Sequence, residues 1–271
     1  MMKKMIFCCV MAAFGMGQVS AQDVDDLGIF NHLGAGVGVG TTGISIDVAA
    51  PISPYVAVRA GMGIFPTIKV KTDLDLDFNN ATRDAYNQTM GHYPDEKVPV
   101  EGKTSMTTGH LLFDIFPFKT SSFHFTAGAY FGGSKIVKVY NQESGILDDI
   151  YTFNSQYAST YGVDKIGVDL GDYFLEPDAN GNVKANIKVN GFRPYLGVGF
   201  GRPIPMKHRV TCNFDMGVQF WGKPKVYAEG LNGETQLTES DTSGKDGGAI
   251  KTISKIAVWP VLNVRVAVRL F

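Results

Sequence analysis

Val261-Leu-Asn-Val-Arg-Val-Ala-Val-Arg-Leu-Phe271 is the stretch that decides the fold. Leu262, Val264, Val266, Val268 and Leu270 fall on one face, and Asn263, Arg265, Ala267 and Arg269 on the other. A period of two is that of a strand, since successive side chains point to opposite sides of a pleated backbone. One face suits lipid or a core; the other suits water or a polar lumen.

Seven more segments repeat that alternation. They run from about His32 to Gly40, from Ile44 to Ala49, from Tyr55 past Ile64, across His110 to Ile115, and over Phe123–Phe131, Phe192–Phe200 and Val210–Phe220. Pro51-Ile-Ser-Pro54 reads as a tight turn, because a proline cannot donate to a central ladder. Connections are short at 50–54, 117–122 and 202–208 and long at 79–103, 142–183 and 230–248. Tight turns on one side and extended loops on the other are the plan of a membrane barrel, and an even strand count brings both ends to one rim. The expected fold is therefore all-β: an antiparallel up-and-down transmembrane barrel of eight strands. Gly43 must turn the chain for the count to reach eight. Ten remains open, because Ile68–Phe78 and Ile146–Gly167 could extend as hairpins.

The N-terminus reads as an export signal. Lys3 and Lys4 precede an apolar stretch from Met5 to Gly17, and Val19-Ser-Ala21 offers a small-residue cleavage site. The expected division is 1–21 signal peptide and 22–271 barrel domain. Removing Lys3 and Lys4 takes the basic count from 25 to 23 against 26 acids, so the processed chain carries about −3. No basic stripe marks a nucleic-acid site. Cys8 and Cys9 leave with the signal, so Cys212 has no disulfide partner and reads as a small residue on a buried apolar face.

The signal ending Val19-Ser-Ala-Gln22, the segments Val39-Gly-Thr-Thr-Gly-Ile-Ser-Ile46 and Pro54-Tyr-Val-Ala-Val-Arg-Ala-Gly61, and the ending Trp259-Pro-Val-Leu262 to Arg269-Leu-Phe271 resemble small bacterial outer-membrane β-barrel proteins, porin-like in type. The resemblance implies residence in the bacterial outer membrane, with lipid as a partner. It also implies that the barrel-insertion machinery reads Phe271, although Phe271 is in phase with Arg269 rather than with the apolar face. Phe30, Tyr55, Phe65, Phe116, Phe118, Phe200, Trp221 and Trp259 sit near strand ends, where interfacial girdles form.

If the apolar faces meet lipid, the lumen collects Asp47, Arg59, His110, Asp114, His124, Arg193, Asp215, Arg265 and Arg269, with Asn213 and Gln219. An eight-stranded barrel is just wide enough for side chains to fill it. A ladder of ion pairs that plugs the lumen is the leading expectation; a narrow polar path slightly favouring anions is the alternative. A lipid-modifying hydrolase is a further one, with a His124–Asp114 pair across a hairpin, but no nucleophile stands beside it. No catalytic residue, metal ligand set or cofactor is expected. Asp178-Ala-Asn-Gly-Asn182 offers oxygen donors but lacks the distal Glu of a calcium loop, and reads as a turn. The expected role is structural or interactive, with any extracellular ligand at the loops 79–103, 142–183 and 230–248.

Overall fold

The computed structural model describes residues 27–170, 173–206, 209–230, 233–237 and 257–271. The proposed signal, most of the 230–248 loop and residues 249–256 lie outside this set. Eight strands close on themselves: β1 (Gly34–Gly40), β2 (Gly43–Ser53), β3 (Val56–Asp77), β4 (Lys97–Ile115), β5 (Phe123–Gly132), β10 (Phe192–Phe200), β11 (Val210–Phe220) and β14 (Val258–Arg269). Every adjacent pair is antiparallel, and the β3–β4 pairing completes the circle. Gly43, with φ of 98°, turns the chain between β1 and β2, a conformation that glycine adopts without a Cβ clash. Pro51 lies within β2 beside a register shift at Pro51/Ser53, so the tight turn is Pro54-Tyr55 rather than the whole of 51–54. A bulge absorbs the missing donor there.

Alternation sorts the wall into two surfaces. On β14, Arg265 and Ala267 are fully buried, while Leu262, Val264, Val266 and Val268 are exposed. The same holds around the circle, where Val37, Ile46, Met62, Phe113, Phe125, Leu196 and Phe214 all point outward and exposed. Soluble proteins rarely expose an apolar patch beyond a few hundred Å². A continuous apolar ring around a polar interior, with all wall backbone groups paired between strands, is a membrane-spanning surface. No helix among the described residues is long and apolar enough to cross a membrane. Cys212 lies exposed on this ring, so the bilayer rather than a protein core covers it.

The aromatic positions divide. Phe30, Tyr55, Phe118 and Phe200 are exposed near the short-turn rim, as girdle residues are. Phe116 and Trp221 are buried instead: Phe116 packs inside the short-turn mouth with Leu27, Ile204 and Met206, and Trp221 stacks on Trp259 at 4.8 Å. β14 keeps its phase through Arg269, and Phe271 lies beyond the strand, exposed, with its carbonyl accepting from the Leu33 amide at 3.1 Å.

The long connections are not loose. β3 and β4 run on beyond the barrel, with a bulge between Phe65 and Ile68, and β6 (Lys135–Asn141), β9 (Lys184–Lys188), β12 (Lys225–Gly230) and β13 (Gly233–Gln236) extend their sheet. β7 (Gly167–Leu170) and β8 (Tyr173–Leu175) add to the other edge. Helices α1 (Asn80–Met90), α2 (Asp148–Gln156) and α3 (Ala158–Tyr161) cover one face. Asn79 caps α1 by accepting from the Thr82 amide at 2.8 Å, and Gly91 closes it at φ of 80°. Val98, Val100, Val139, Ile187 and Val226 from the sheet meet Tyr86, Ile150 and Phe153 from the helices in one core. The barrel thus carries a folded cap with a core of its own. Of the two segments that could have extended as hairpins, Ile68–Phe78 runs on as β3 to Asp77 while Ile146–Gly167 is largely helical, so the membrane-spanning count stays at eight.

Candidate functional site

The inward faces of β3, β4, β5 and β11 build a charged cluster. Arg59 Nη1 donates to Asp215 Oδ2 at 2.8 Å, and Nη2 donates to Asp114 Oδ1 at 2.7 Å and to Asp215 Oδ1 at 3.1 Å. Arg59 Nε lies 2.7 Å from Asp114 Oδ2. Thr126 Oγ1 donates to Asp114 Oδ1 at 2.8 Å, and His124 Nε2 is 3.1 Å from Asp215 Oδ1. β3 and β11 are four places apart in a circle of eight, so the Arg59–Asp215 pair crosses the lumen from wall to opposite wall. Gly199 leaves room in the wall for this cluster: a Cβ there would lie 2.5 Å from the His124 ring and 2.6 Å from Asp215.

A second pair lies beside it. Arg265 Nε donates to both Asp47 oxygens, at 2.8 and 2.9 Å, its Nη2 also reaches Asp47, and Nη1 donates to the Pro203 carbonyl at 3.2 Å. Gly36 leaves the room, since a Cβ there would fall 2.4 Å from the guanidinium carbon. Such pairs suit the location: a charge removed from water needs a partner with matched hydrogen bonds.

The remaining lumen residues flank the two clusters: His110 lines one small cavity with Asp47, Arg59 and Asp215, and Asn213 is the cross-strand neighbour of Arg265. His110 is buried and its ring lies 5.4 Å from that of Tyr130. Asn213 and Gln219 are buried too. Arg193 is fully buried near the loop-side end, where Nη1 meets Met106 Sδ at 2.9 Å while Nε and Nη2 have no hydrogen-bond partner among the described residues. Arg269 is partly exposed at the short-turn rim, opposite Gly34. Above the charged clusters, Leu112, Tyr130, Tyr195 and Val261 pack together. The cavity left between Asp215 and the Thr42 rim measures about 20 Å³, room for about one water.

Asp114, His124 and Asp215 also bring one ligand atom each to within 4.8 Å of one another, a cluster that a metal could use in principle. Arg59 already engages both carboxylates, so a cation there would face a guanidinium. The donor set fits a structural ion network better than a metal centre. The Asp178–Asn182 turn is likewise engaged: Asp178 Oδ1 accepts from the Asn180 and Asn182 amides at 2.9 and 3.0 Å, and Asn182 Oδ1 accepts from Asn141.

Sequence reading missed Thr126, Met106 and Pro203 as partners, since their roles depend on packing across strands. It also missed the outward face of the cap sheet. There Lys69, Lys103 and Lys138 lie side by side on β3, β4 and β6, and Lys71, Glu101, Tyr140 and Lys184 form the next row. Hydrogen bonds from Tyr140 and then Lys69 hold the Glu101 carboxyl below its ordinary range. The signal that could have found this face is the alternation of Lys with Val or Ile in Lys135-Ile-Val-Lys-Val-Tyr140 and Lys184-Ala-Asn-Ile-Lys188.

No protein-family model and no curated protein sequence matches the chain. Two solved structures from Acinetobacter baumannii are similar to it. CarO2 is 19% identical with a TM-score of 0.44, the match covering 88% of this chain and 98% of that one. CarO is 17% identical with a TM-score of 0.43, over 89% and 99%. A major outer membrane protein from Thermus thermophilus is 15% identical with a TM-score of 0.34, over 88% and 98%. The membrane assignment stands on the apolar ring and the polar interior.

Proposed function

We propose that this eight-stranded outer-membrane barrel is closed to solutes and serves to hold its folded cap at the cell surface, where the cap contacts other molecules. The observation that carries this reading is the ion pair spanning the lumen from Arg59 to Asp215, with His124, Asp114 and Thr126 bound to it. The apolar cluster of Leu27, Phe116, Ile204 and Met206 at the short-turn mouth supports it from below. A passage for small solutes would need a continuous polar path; the charged network across the lumen and the cavity of only about 20 Å³ beside it support a closed interior instead. A hydrolase would need a nucleophile beside its base, yet the Thr126 hydroxyl donates to Asp114 rather than to His124. The insertion machinery implied for Phe271 remains part of this proposal. Replacing Phe271 by Ala should slow assembly without altering the finished barrel.

Planar-bilayer recording tests the reading. Purified wild-type protein is expected to show no stepwise conductance, whereas reproducible single-channel steps in the wild type would overturn it.

A further inference from the structure

We propose that the outward face of the cap sheet, centred on Lys103, Lys138 and Lys184, is a binding site for the phosphate-bearing headgroup of an outer-leaflet glycolipid. The proposal rests on the membrane placement given above and names a partner for the cap.

The side on which these lysines stand follows from β4, which keeps its alternation from the barrel into the cap. Leu111 and Phe113 face lipid, and the same phase continues through Ser105 and Lys103 to Glu101. The opposite phase carries His110 and Thr108 in the lumen, then Met106 against Arg193, and finally Val100 and Val98 in the helix-covered core. The helices therefore pack on the lumen side of the sheet. The lysine face is the upward continuation of the lipid-facing wall.

Height follows from the same strand. Thr107, opposite Ile64, marks the top of the apolar ring on this side. Lys103 is four residues further, roughly 14 Å along a strand that tilts, hence on the order of 10 Å higher. That is above the acyl chains, at the outer edge of a polar layer roughly 5–8 Å deep on each side, where the sugars and phosphates of a glycolipid project.

Charge on this face is not balanced from within. Lys69, Lys103 and Lys138 are direct cross-strand neighbours, an arrangement of like charges that destabilises a sheet unless something offsets it. The nearby acids are engaged: Glu101 with Lys69 at 3.0 Å and with Tyr140, Glu234 with Lys135 at 2.7 Å and with Lys188, and Glu229 with the Asn186 amide at 2.9 Å. Lys103, Lys138 and Lys184 have no ion pair or hydrogen bond from their side chains among the described residues. Between β6 and β9 the face also holds a concavity of about 430 Å³, lined by Lys138, Tyr140, Lys184, Asn186 and the Glu229 carboxylate. Asn186 donates to Glu229 at 2.9 Å and Tyr140 to Glu101, so the two ammonium groups are the donors left for a phosphate, and the volume lies within the range of small-molecule sites.

The test uses the full-length protein in neutral-detergent micelles, with bisphosphorylated lipid A as the probe and the same lipid stripped of its phosphates as the comparison. Binding is read by native mass spectrometry. Wild type is expected to bind the phosphorylated form at least about tenfold better, and to lose that preference in high salt. The triple variant Lys103→Gln/Lys138→Gln/Lys184→Gln should lose the preference, whereas Lys165→Gln, elsewhere on the cap, should keep it. Heat-modifiable gel migration of each variant shows that the barrel is intact. Equal binding by wild type and triple variant would overturn the proposal, as would equal binding of both lipids by wild type. Competition by inorganic pyrophosphate as strong as by lipid A would also overturn it, by assigning the face to a soluble anion. None of these outcomes depends on conductance, so this proposal and the closed-barrel reading fail separately.

Discussion

Arg59 on β3 and Asp215 on β11 belong to strands on opposite sides of the barrel, yet their side chains meet at 2.8 Å. One guanidinium thereby holds two carboxylates, Asp114 and Asp215, at the centre of the lumen. The pair does for this interior what a hydrophobic core does for a soluble domain: it ties distant parts of the wall to each other.

Removing the cation should therefore be costly. Arg59→Met leaves two carboxylates buried side by side, and the loss is expected to be about 3–5 kcal/mol. The temperature at which the folded band disappears in semi-native gels should fall sharply. Adding Asp215→Asn to that variant should recover part of the loss. An unchanged transition in Arg59→Met would show that the network is dispensable.

Arg193 should behave in the opposite way. Its guanidinium is fully buried with two nitrogens unpartnered, so its charge is a burden on the folded state. Arg193→Met, similar in length and apolar, is expected to leave the gel transition unchanged or raise it, by up to about 2 kcal/mol. A lowered transition would mean that the guanidinium has a partner in the native membrane.

Phe153 is fully buried at the centre of the cap and lies 5.2 Å from the Tyr86 ring. Phe153→Ala should cost about 3–5 kcal/mol, and the cost should fall on the cap alone. Limited proteolysis is expected to cut between residues 142 and 183, while heat-modifiable migration stays that of wild type. Loss of the gel shift would show that cap and barrel fold as one unit.

The Glu234 carboxyl is held at about 2 by hydrogen bonds from Lys135 and Lys188. A folded value below the ordinary 4.5 means that the ionised form is the stabilising one. Its contribution is complete above the ordinary carboxylate range and is lost as pH falls from about 4.5 towards about 2. Pepsin cleavage near β12 and β13 should rise over that window in wild type relative to Glu234→Gln, with each pH compared separately. Parallel profiles for the two proteins would count against the link.

The barrel was legible because its signal is local. A strand that faces lipid on one side and a polar lumen on the other writes its period into the sequence, as Leu262 to Arg269 do. The lumen residues were legible for the same reason, since phase alone assigns Asp47, Arg59 and Arg265 to the inside. The His124–Asp114 approach across the β4–β5 hairpin, 3.8 Å in the structure, was legible, but which residues would meet across the lumen was not. The Arg59–Asp215 contact joins residues 156 apart in sequence and depends on strand order around the circle. The cap was legible only as long connections, because its strands are short and its helices brief. Val98 and Val226 find their common core only when separate connections come together. Pro51 was misread because a bulge can admit a proline that a regular ladder would exclude.

The cap sheet is assembled from three different connections: β3 and β4 from one, β6 and β9 from the next, β12 and β13 from the last. Val226 from the last connection shares one core with Val100, Val139 and Ile187 from the other two. The cap core is therefore complete only where all three connections lie at the same rim of the barrel, which ties the ends of three separate hairpins to each other.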